Sequence, residues 1–178
     1  MALEIERKWL VKNTPELLSN LGKLDDSPGY EYAPAEFTQG YLHASPTESV
    51  RVRVVKDLNY QDTFADLTVK KTISSTTREE HEFEIPVDQA TQALNGVEHV
   101  IFKTRYCVIR DHVLFEIDVF HDSLDGLVIM EMEFAEGEDV NAPVDNFPDW
   151  VEVIREVTDD PRFLNCNLVG KCYNDICS

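Results

Sequence analysis

Leu3-Glu4-Ile5-Glu6-Arg7-Lys8-Trp9-Leu10-Val11 alternates in a way that decides how the rest of the chain must be read. In extended backbone successive side chains point to opposite faces, so Glu4, Glu6 and Lys8 share one side while Leu3, Ile5, Trp9 and Val11 share the other. Arg7 falls on the apolar parity. Alone, such a stretch reads as a half-buried antiparallel strand with a wetted charged face. It is not alone.

The same alternation recurs along the chain. Arg51 and Arg53 oppose Val50, Val52 and Val54, and Lys70, with Thr68, opposes Leu67 and Val69. Glu82 and Glu84 oppose His81, Phe83 and Ile85. Lys103 and Arg105 oppose Phe102, Thr104 and Tyr106; Glu116 and Asp118 oppose Phe115, Ile117 and Val119; Glu131 and Glu133 oppose Met130, Met132 and Phe134. After the first strand, each set is purely basic or purely acidic. Solvated strand faces usually mix charges with Thr and Ser, and like charges on neighbouring same-face positions repel unless a counter-charge is present. An open sheet with one wet face is the plain alternative. The sorted signs instead favour a closed barrel with a charged interior and an exterior partly covered by short helices.

The remaining elements fit one domain over residues 1–178, predominantly β within the α+β class. Phe37 to Leu42 forms a strand in which Gln39 and Tyr41 share a face. Thr14-Pro15 opens a helix carrying Leu17, Leu18 and Leu21 at helical spacing. Asp88 caps a second helix that Gly96 ends, and Asp160-Pro161 opens a third through Leu168, with Gly170 at its end and a tail beyond. Residues 25–35 and the acidic stretch 136–149 read as loops. Hairpins turn near Asp111-His112 and over Asp122 to Gly126.

Composition excludes several classes. With 34 acidic against 16 basic residues the formal charge is −18, which argues against a nucleic-acid or anionic-membrane surface. The N-terminus lacks a basic then apolar leader, and no apolar run approaches the ~20 residues that span a bilayer, so a soluble cytoplasmic protein is expected. Cys107, Cys166, Cys172 and Cys177 are irregularly spaced and read as reduced thiols. The five histidines are scattered, and none is assigned to a metal.

The charged faces have a chemistry. Arginine offers forked contacts to phosphate oxygens and lysine a compact point charge, so Arg51, Arg53, Lys70, Lys103 and Arg105 suit a chain of phosphates. Carboxylates repel phosphate unless a hard divalent cation lies between, and Mg²⁺ or Mn²⁺ takes oxygen ligands from carboxylates and phosphates together. For any single pair a plain salt bridge is the alternative.

Glu4-Ile5-Glu6-Arg7-Lys8, Gln39-Gly40-Tyr41-Leu42, Arg51-Val52-Arg53, Leu67-Thr68-Val69-Lys70, Glu82-Phe83-Glu84, Lys103-Thr104-Arg105-Tyr106, Phe115-Glu116-Ile117-Asp118-Val119 and Glu131-Met132-Glu133-Phe134, with Glu156 through Asp160-Pro161 to Phe163, together resemble the CYTH superfamily, or triphosphate tunnel metalloenzymes. The short bacterial members are the nearest match. The resemblance implies an eight-stranded antiparallel tunnel holding a triphosphate on basic residues and a divalent metal on acidic ones, with a C-terminal helix near one mouth. It also implies that Lys8 is the signature lysine and that Tyr41 and Lys70 stand near the scissile phosphate. Lys8, Tyr41 and Lys70 are therefore the expected catalytic residues, and Lys8 joins the phosphate-binding set.

The metal set is then Glu4, Glu6, Glu131 and Glu133, with Glu82, Glu84, Glu116 and Asp118 orienting metal, water or bases. Arg78 and Glu80 share the face of Glu82, where Arg78 either reaches phosphate or pairs with Glu80. The expected reaction is metal-dependent hydrolysis of a small triphosphate, foremost tripolyphosphate to diphosphate and phosphate, by in-line attack of water. An adenylate cyclase and a catalytically silent polyphosphate-binding module are the alternatives, and a homodimer is compatible with all three. The constellation holds six basic and eight acidic groups, and the remaining 10 basic and 26 acidic residues carry −16 of the −18. Substrate entry is thus expected to depend on the metal-bound substrate and on the local field at the mouth.

Overall fold

The computed structural model describes residues 2–23, 31–110 and 112–177. Among them, nine strands form one antiparallel sheet: β1 (Ala2–Val11), β2 (Glu31–Ala44), β3 (Glu48–Asp57), β4 (Thr63–Thr72), β5 (Thr77–Glu84), β6 (Ile101–Arg110), β7 (Val113–Phe120), β8 (Val128–Glu133) and β9 (Val153–Glu156). The order β5-β4-β3-β2-β6-β7-β8-β1 closes on itself where Ala2–Ile5 of β1 pair with Thr77–Glu80 of β5. The result is the expected eight-stranded barrel, with β9 outside it against Trp9–Val11. Alternation does the sorting: even-numbered residues of β1, β4 and β5 face inward and their odd-numbered neighbours outward.

Two helices cover outer faces. α1 (Pro15–Leu21) starts as expected, with Thr14 Oγ1 accepting from Leu17 N at 3.0 Å. It buries Leu17 and Leu21 completely against Trp9, Val11, Ile117 and Met130. Trp9 also takes the edge of Phe147, ring centroids 5.2 Å apart, so the irregular segment between β8 and β9 supplies a lid of Val144, Phe147 and Trp150. α2 (Val87–Asn95) lays Ala90 and Leu94 over Val52 and Ala65. Its N-cap position is Pro86 and no side chain caps it. Asp88, expected there, lies in the first turn, where its charge complements the positive end of the helix. β2 passes close beneath: a Cβ at Gly40 would meet Val97 Cγ2 at 2.8 Å.

Other boundaries differ from expectation for identifiable reasons. Of the expected loop 25–35, residues 25–30 lie outside the described residues, whereas Glu31–Ala35 belong to β2. Pro34 is tolerated because the β3 register begins only at Ala35 and Pro34, which has no N–H to give, uses its carbonyl there, accepting from Leu58 N at 3.0 Å. Asp111 lies outside the described residues; His112 beside it has φ 67°, as a tight hairpin requires. The second hairpin turns through a 3-10 segment, Asp122–Leu124, to Gly126 at φ 98°.

The expected third helix is broken. A 3-10 turn, Pro161–Phe163, capped by Asp160, gives way at the extended Leu164 to α3 (Asn165–Leu168), and the expected tail contains α4 (Tyr173–Cys177). Tertiary burial explains the break. Phe163, Leu168 and Ile176 pack with Leu10, Ile101, Phe120 and Ile129, and no straight helix would set all three there. This apolar cluster fills one end of the barrel beneath β1, β6, β7 and β8. No described helix is long and apolar enough to cross a membrane.

Candidate functional site

The barrel encloses a cavity of about 570 Å³ whose walls are dominated by ionisable side chains. β1 contributes Glu4, Glu6 and Lys8; β2 Tyr41; β3 Arg51 and Arg53; β4 Lys70; β5 Arg78, Glu80 and Glu82; β6 Arg105; β7 Glu116; β8 Glu131 and Glu133. The same period of two that reads as alternation in the sequence places these groups on one inner surface. Asp118 and Lys103 lie beneath it, essentially unexposed, with Lys103 Nζ 2.5 Å from Asp118 Oδ2 and over the rings of Phe37 and Phe120. Glu84 sits at the exposed end of β5, outside the lining.

Every base inside pairs with a carboxylate. Lys8 Nζ lies 2.9 Å from Glu6 Oε1 and also donates to Glu131. Lys70 bridges Glu4 at 2.6 Å and Glu80 at 3.2 Å. Arg53 joins Asp66 and, at 3.0 Å, Glu82. Arg51 donates to Thr68 Oγ1 at 2.8 Å, and Thr68 donates in turn to Asp66 Oδ1 at 2.8 Å. Arg105 is the hub: Nε reaches Asp118 Oδ1 at 2.7 Å, Nη2 reaches Asp118 Oδ2 at 2.7 Å and Glu131 Oε2 at 2.6 Å, and Nη1 joins Glu116. Arg78, which the sequence leaves between phosphate and Glu80, binds Glu6 and faces Glu4, while Glu80 goes to Lys70.

The electrostatics follow from crowding. Burial would lower the Lys8 ammonium, but Glu131 and Glu6 outweigh it and hold it protonated above its ordinary range. Burial likewise opposes ionisation of Glu131, yet Lys8 and Arg105 keep it well below the usual carboxylate value. Lys103 goes the other way, pushed down to about 8 by burial and by Arg105. Burial raises Tyr41 despite Arg51, so its hydroxyl is a donor at neutral pH. Glu133 is pushed up to about 7 by burial and by the charges of Glu116, Glu4 and Glu6, and it has no ion pair among the described residues.

Those last carboxylates test the fit of a cation. Glu4 Oε2 is buried without a hydrogen-bond partner, and Glu133 stands beside three other acids. This is a local excess of negative oxygen, the donor chemistry of a hard divalent ion. No three His, Cys, Asp or Glu side chains converge on one point among the described residues, since most carboxylates are turned onto Lys or Arg. The donors therefore fit such an ion once their bases are drawn elsewhere.

Two findings correct the sequence reading. The signs are not fully sorted by strand: β4 carries Asp66 with Lys70, and β5 carries Arg78 with Glu80 and Glu82. Parity with Lys70 marks Asp66 just as it marks Thr68, and Asp66 is the one the alternation reading leaves out. In addition, Leu164, Asn165 and Cys166 line the cavity, although no local pattern points to them. They arrive because the apolar cluster pins Phe163 and Leu168 on either side, in keeping with the expected C-terminal element near one mouth.

No family model matches the chain. An inorganic triphosphatase of Acetivibrio thermocellus is 39% identical over 177 residues, covering 98% of both chains. An inorganic triphosphatase of Nitrosomonas europaea is 34% identical over 164 residues, covering 91% of this chain and 93% of that one. Among solved structures, the inorganic triphosphatase NE1496 matches with a TM-score of 0.57 at 30% identity, over 94% of this chain and 95% of the other. The PH1819 protein of Pyrococcus horikoshii shares the fold at 19% identity, with a TM-score of 0.54 over 76% of this chain and 80% of its own. With a charge-lined eight-stranded barrel and near-complete alignment to these relatives, the chain belongs to the CYTH superfamily, the family of the inorganic triphosphatases.

Proposed function

We propose that this protein hydrolyses inorganic tripolyphosphate to diphosphate and phosphate, with Mg²⁺ or Mn²⁺ as the divalent ion. The observation that carries the proposal is the lining of one cavity by six bases, Lys8, Arg51, Arg53, Lys70, Arg78 and Arg105, interleaved with carboxylates. A linear triphosphate is the ligand whose charge and length such a surface answers, and the full-length relatives named inorganic triphosphatase support the choice.

The residues act by exchange of partners. Entering phosphate oxygens compete with Glu and Asp for the arginine forks and the two ammonium groups, where charge-assisted contacts are strong. Arg51, Arg53 and Arg105 grip the chain, while Lys8 and Lys70 place positive charge where it builds up in the transition state. Tyr41, kept neutral, donates a hydrogen bond. Carboxylates released by this exchange, foremost Glu4, Glu6, Glu131 and Glu133, would hold the ion, with Glu82 and Glu116 steering water and bases. When bound, the ion neutralises phosphate charge and helps align the attacking water. No covalent intermediate is needed, because positioning and electrostatics suffice for phosphoryl transfer.

Incubation with tripolyphosphate or ATP and Mg²⁺ or Mn²⁺, followed by phosphate and cyclic AMP assays, tests this. Phosphate release from tripolyphosphate, abolished by chelation, is expected. Cyclic AMP as the main product, or undiminished turnover after chelation, would overturn it.

A further inference from the structure

The stretch Glu156-Val157-Thr158 lies outside the tunnel, yet it takes hold of the backbone of Lys8. Along one edge β1 changes partners: Ala2–Ile5 pair with β5, Glu6 N donates to Thr76 O at 2.9 Å, and Trp9 then pairs with Glu156 of β9. Lys8 sits at this transfer. Its carbonyl accepts from Val157 N at 2.8 Å, but its N–H meets a side chain in place of a strand carbonyl: it donates to Thr158 Oγ1 at 3.0 Å.

The direction of that hydroxyl is set from outside. Thr158 is 8% exposed, and Oγ1 lies 2.7 Å from Glu156 Oε1, against 3.5 Å from Lys8 O. Glu156 is fork-bonded by Arg7, Nε to Oε1 at 2.8 Å and Nη2 to Oε2 at 2.7 Å, and Arg7 Nη1 donates to Ala142 O at 2.8 Å. A carboxylate so held is ionised and can only accept, so the single hydroxyl proton goes to Glu156 and a lone pair is left for the Lys8 N–H. Arg7, on the outer parity of β1, thereby acquires a part in the site.

We infer that Thr158, oriented by Glu156 and Arg7, is a positioning residue that fixes the Lys8 backbone so that its ammonium stays between Glu6 and Glu131. The inference rests on the proposed role of Lys8 in phosphate binding. Without the hydroxyl, a buried N–H loses its acceptor at the point where this edge of β1 passes from β5 to β9, while β8 holds only the opposite edge, and displacements of about 1 Å in a site of this kind cost about 10²-fold in rate.

The experiment compares Thr158→Val, which keeps the shape and removes the hydroxyl, with Thr158→Ser. Steady-state kinetics on tripolyphosphate, tripolyphosphate calorimetry and amide hydrogen exchange at Lys8 are all run well below the melting temperature. Expected for Thr158→Val are a kcat at least about tenfold lower and faster Lys8 amide exchange, with Thr158→Ser within about threefold of the parent. A lower melting temperature with kcat unchanged would mark Thr158 as merely structural and overturn the inference. If the parent released no phosphate, the proposed function would fail separately. Calorimetry then decides: weaker tripolyphosphate binding in Thr158→Val but not in Thr158→Ser upholds the positioning role, and equal affinities reject it.

Discussion

Replacing Arg105 by methionine isolates what holds the charged interior together. Arg105 donates to Asp118, Glu131 and Glu116 at once, and its side chain is only 13% exposed. Asp118 retains Lys103 and Glu131 retains Lys8 in the variant, but Glu116 keeps no ion pair among the described residues. Methionine fills similar length without charge. The cost is that of leaving a mostly buried carboxylate, 17% exposed, uncompensated, at most about 3–5 kcal/mol. For a chain of this size that corresponds to a drop of roughly 6–20 °C in Tm. Burial already raises Glu116 in the parent against the pull of Arg105, so removing Arg105 raises it further. A raised carboxylate adds stability at low pH that is lost as pH rises through its folded value. The deficit should therefore be large at pH 7.5 and small near pH 5, and Arg105→Met with Glu116→Gln should recover most of it. Scanning calorimetry at both pH values reads this out. A Tm within about 2 °C of the parent at pH 7.5, or the same loss at pH 5, would refute the reasoning.

Three further outcomes are expected. Glu133, raised from 4.5 to about 7, stabilises the ligand-free fold below about 4.5 and loses that contribution as pH rises through about 7. Glu133→Gln should match the parent near pH 4.5 and exceed it by about 1 kcal/mol at pH 8, the full shift of about 3 kcal/mol being cut by solvent screening of a partly exposed group; a Tm difference independent of pH would sink this. Arg51→Ala with Arg53→Ala removes two forked donors at about 1.5–3 kcal/mol each, so tripolyphosphate affinity by calorimetry should fall at least about 100-fold, and unaltered affinity would remove both from the phosphate site. Phe163→Ala opens the cluster under the barrel, where Phe163 is 1% exposed; a loss of about 3–5 kcal/mol in denaturant unfolding is expected, and a loss under 1 kcal/mol would show that the C-terminal segment does not brace that end.

Much of this was legible in the chain because strand geometry is local. The period of two in Glu4-Ile5-Glu6-Arg7-Lys8, Arg51-Val52-Arg53 and Glu131-Met132-Glu133 is written residue by residue, and it fixes which side chains share a face whatever the strand pairs with. The same holds for the cap of α1, where Thr14 and Pro15 act within one turn. Period alone places Arg78 with Glu82 and, followed further, Asp66 with Lys70. By contrast, the depth of a residue along the tunnel depends on strand tilt and register. Hence Lys103 and Asp118 share the inner parity yet lie below the cavity, and Glu84 shares it yet ends outside.

Pairing across long separations was not legible. That Arg78 meets Glu6 across 72 residues follows from closure of β1 on β5, a contact no window of sequence contains. The broken C-terminal helix and the arrival of Asn165 and Cys166 at the cavity follow from burial of Phe163, Leu168 and Ile176 against four strands. The bond from Lys8 to Thr158 spans 150 residues and exists because β1 exchanges one neighbour for another at that point. The sequence by itself determined which faces are charged, since alternation is a property of the extended backbone. Only the tertiary structure decided which charge meets which, because ion pairs form between side chains that barrel closure brings together.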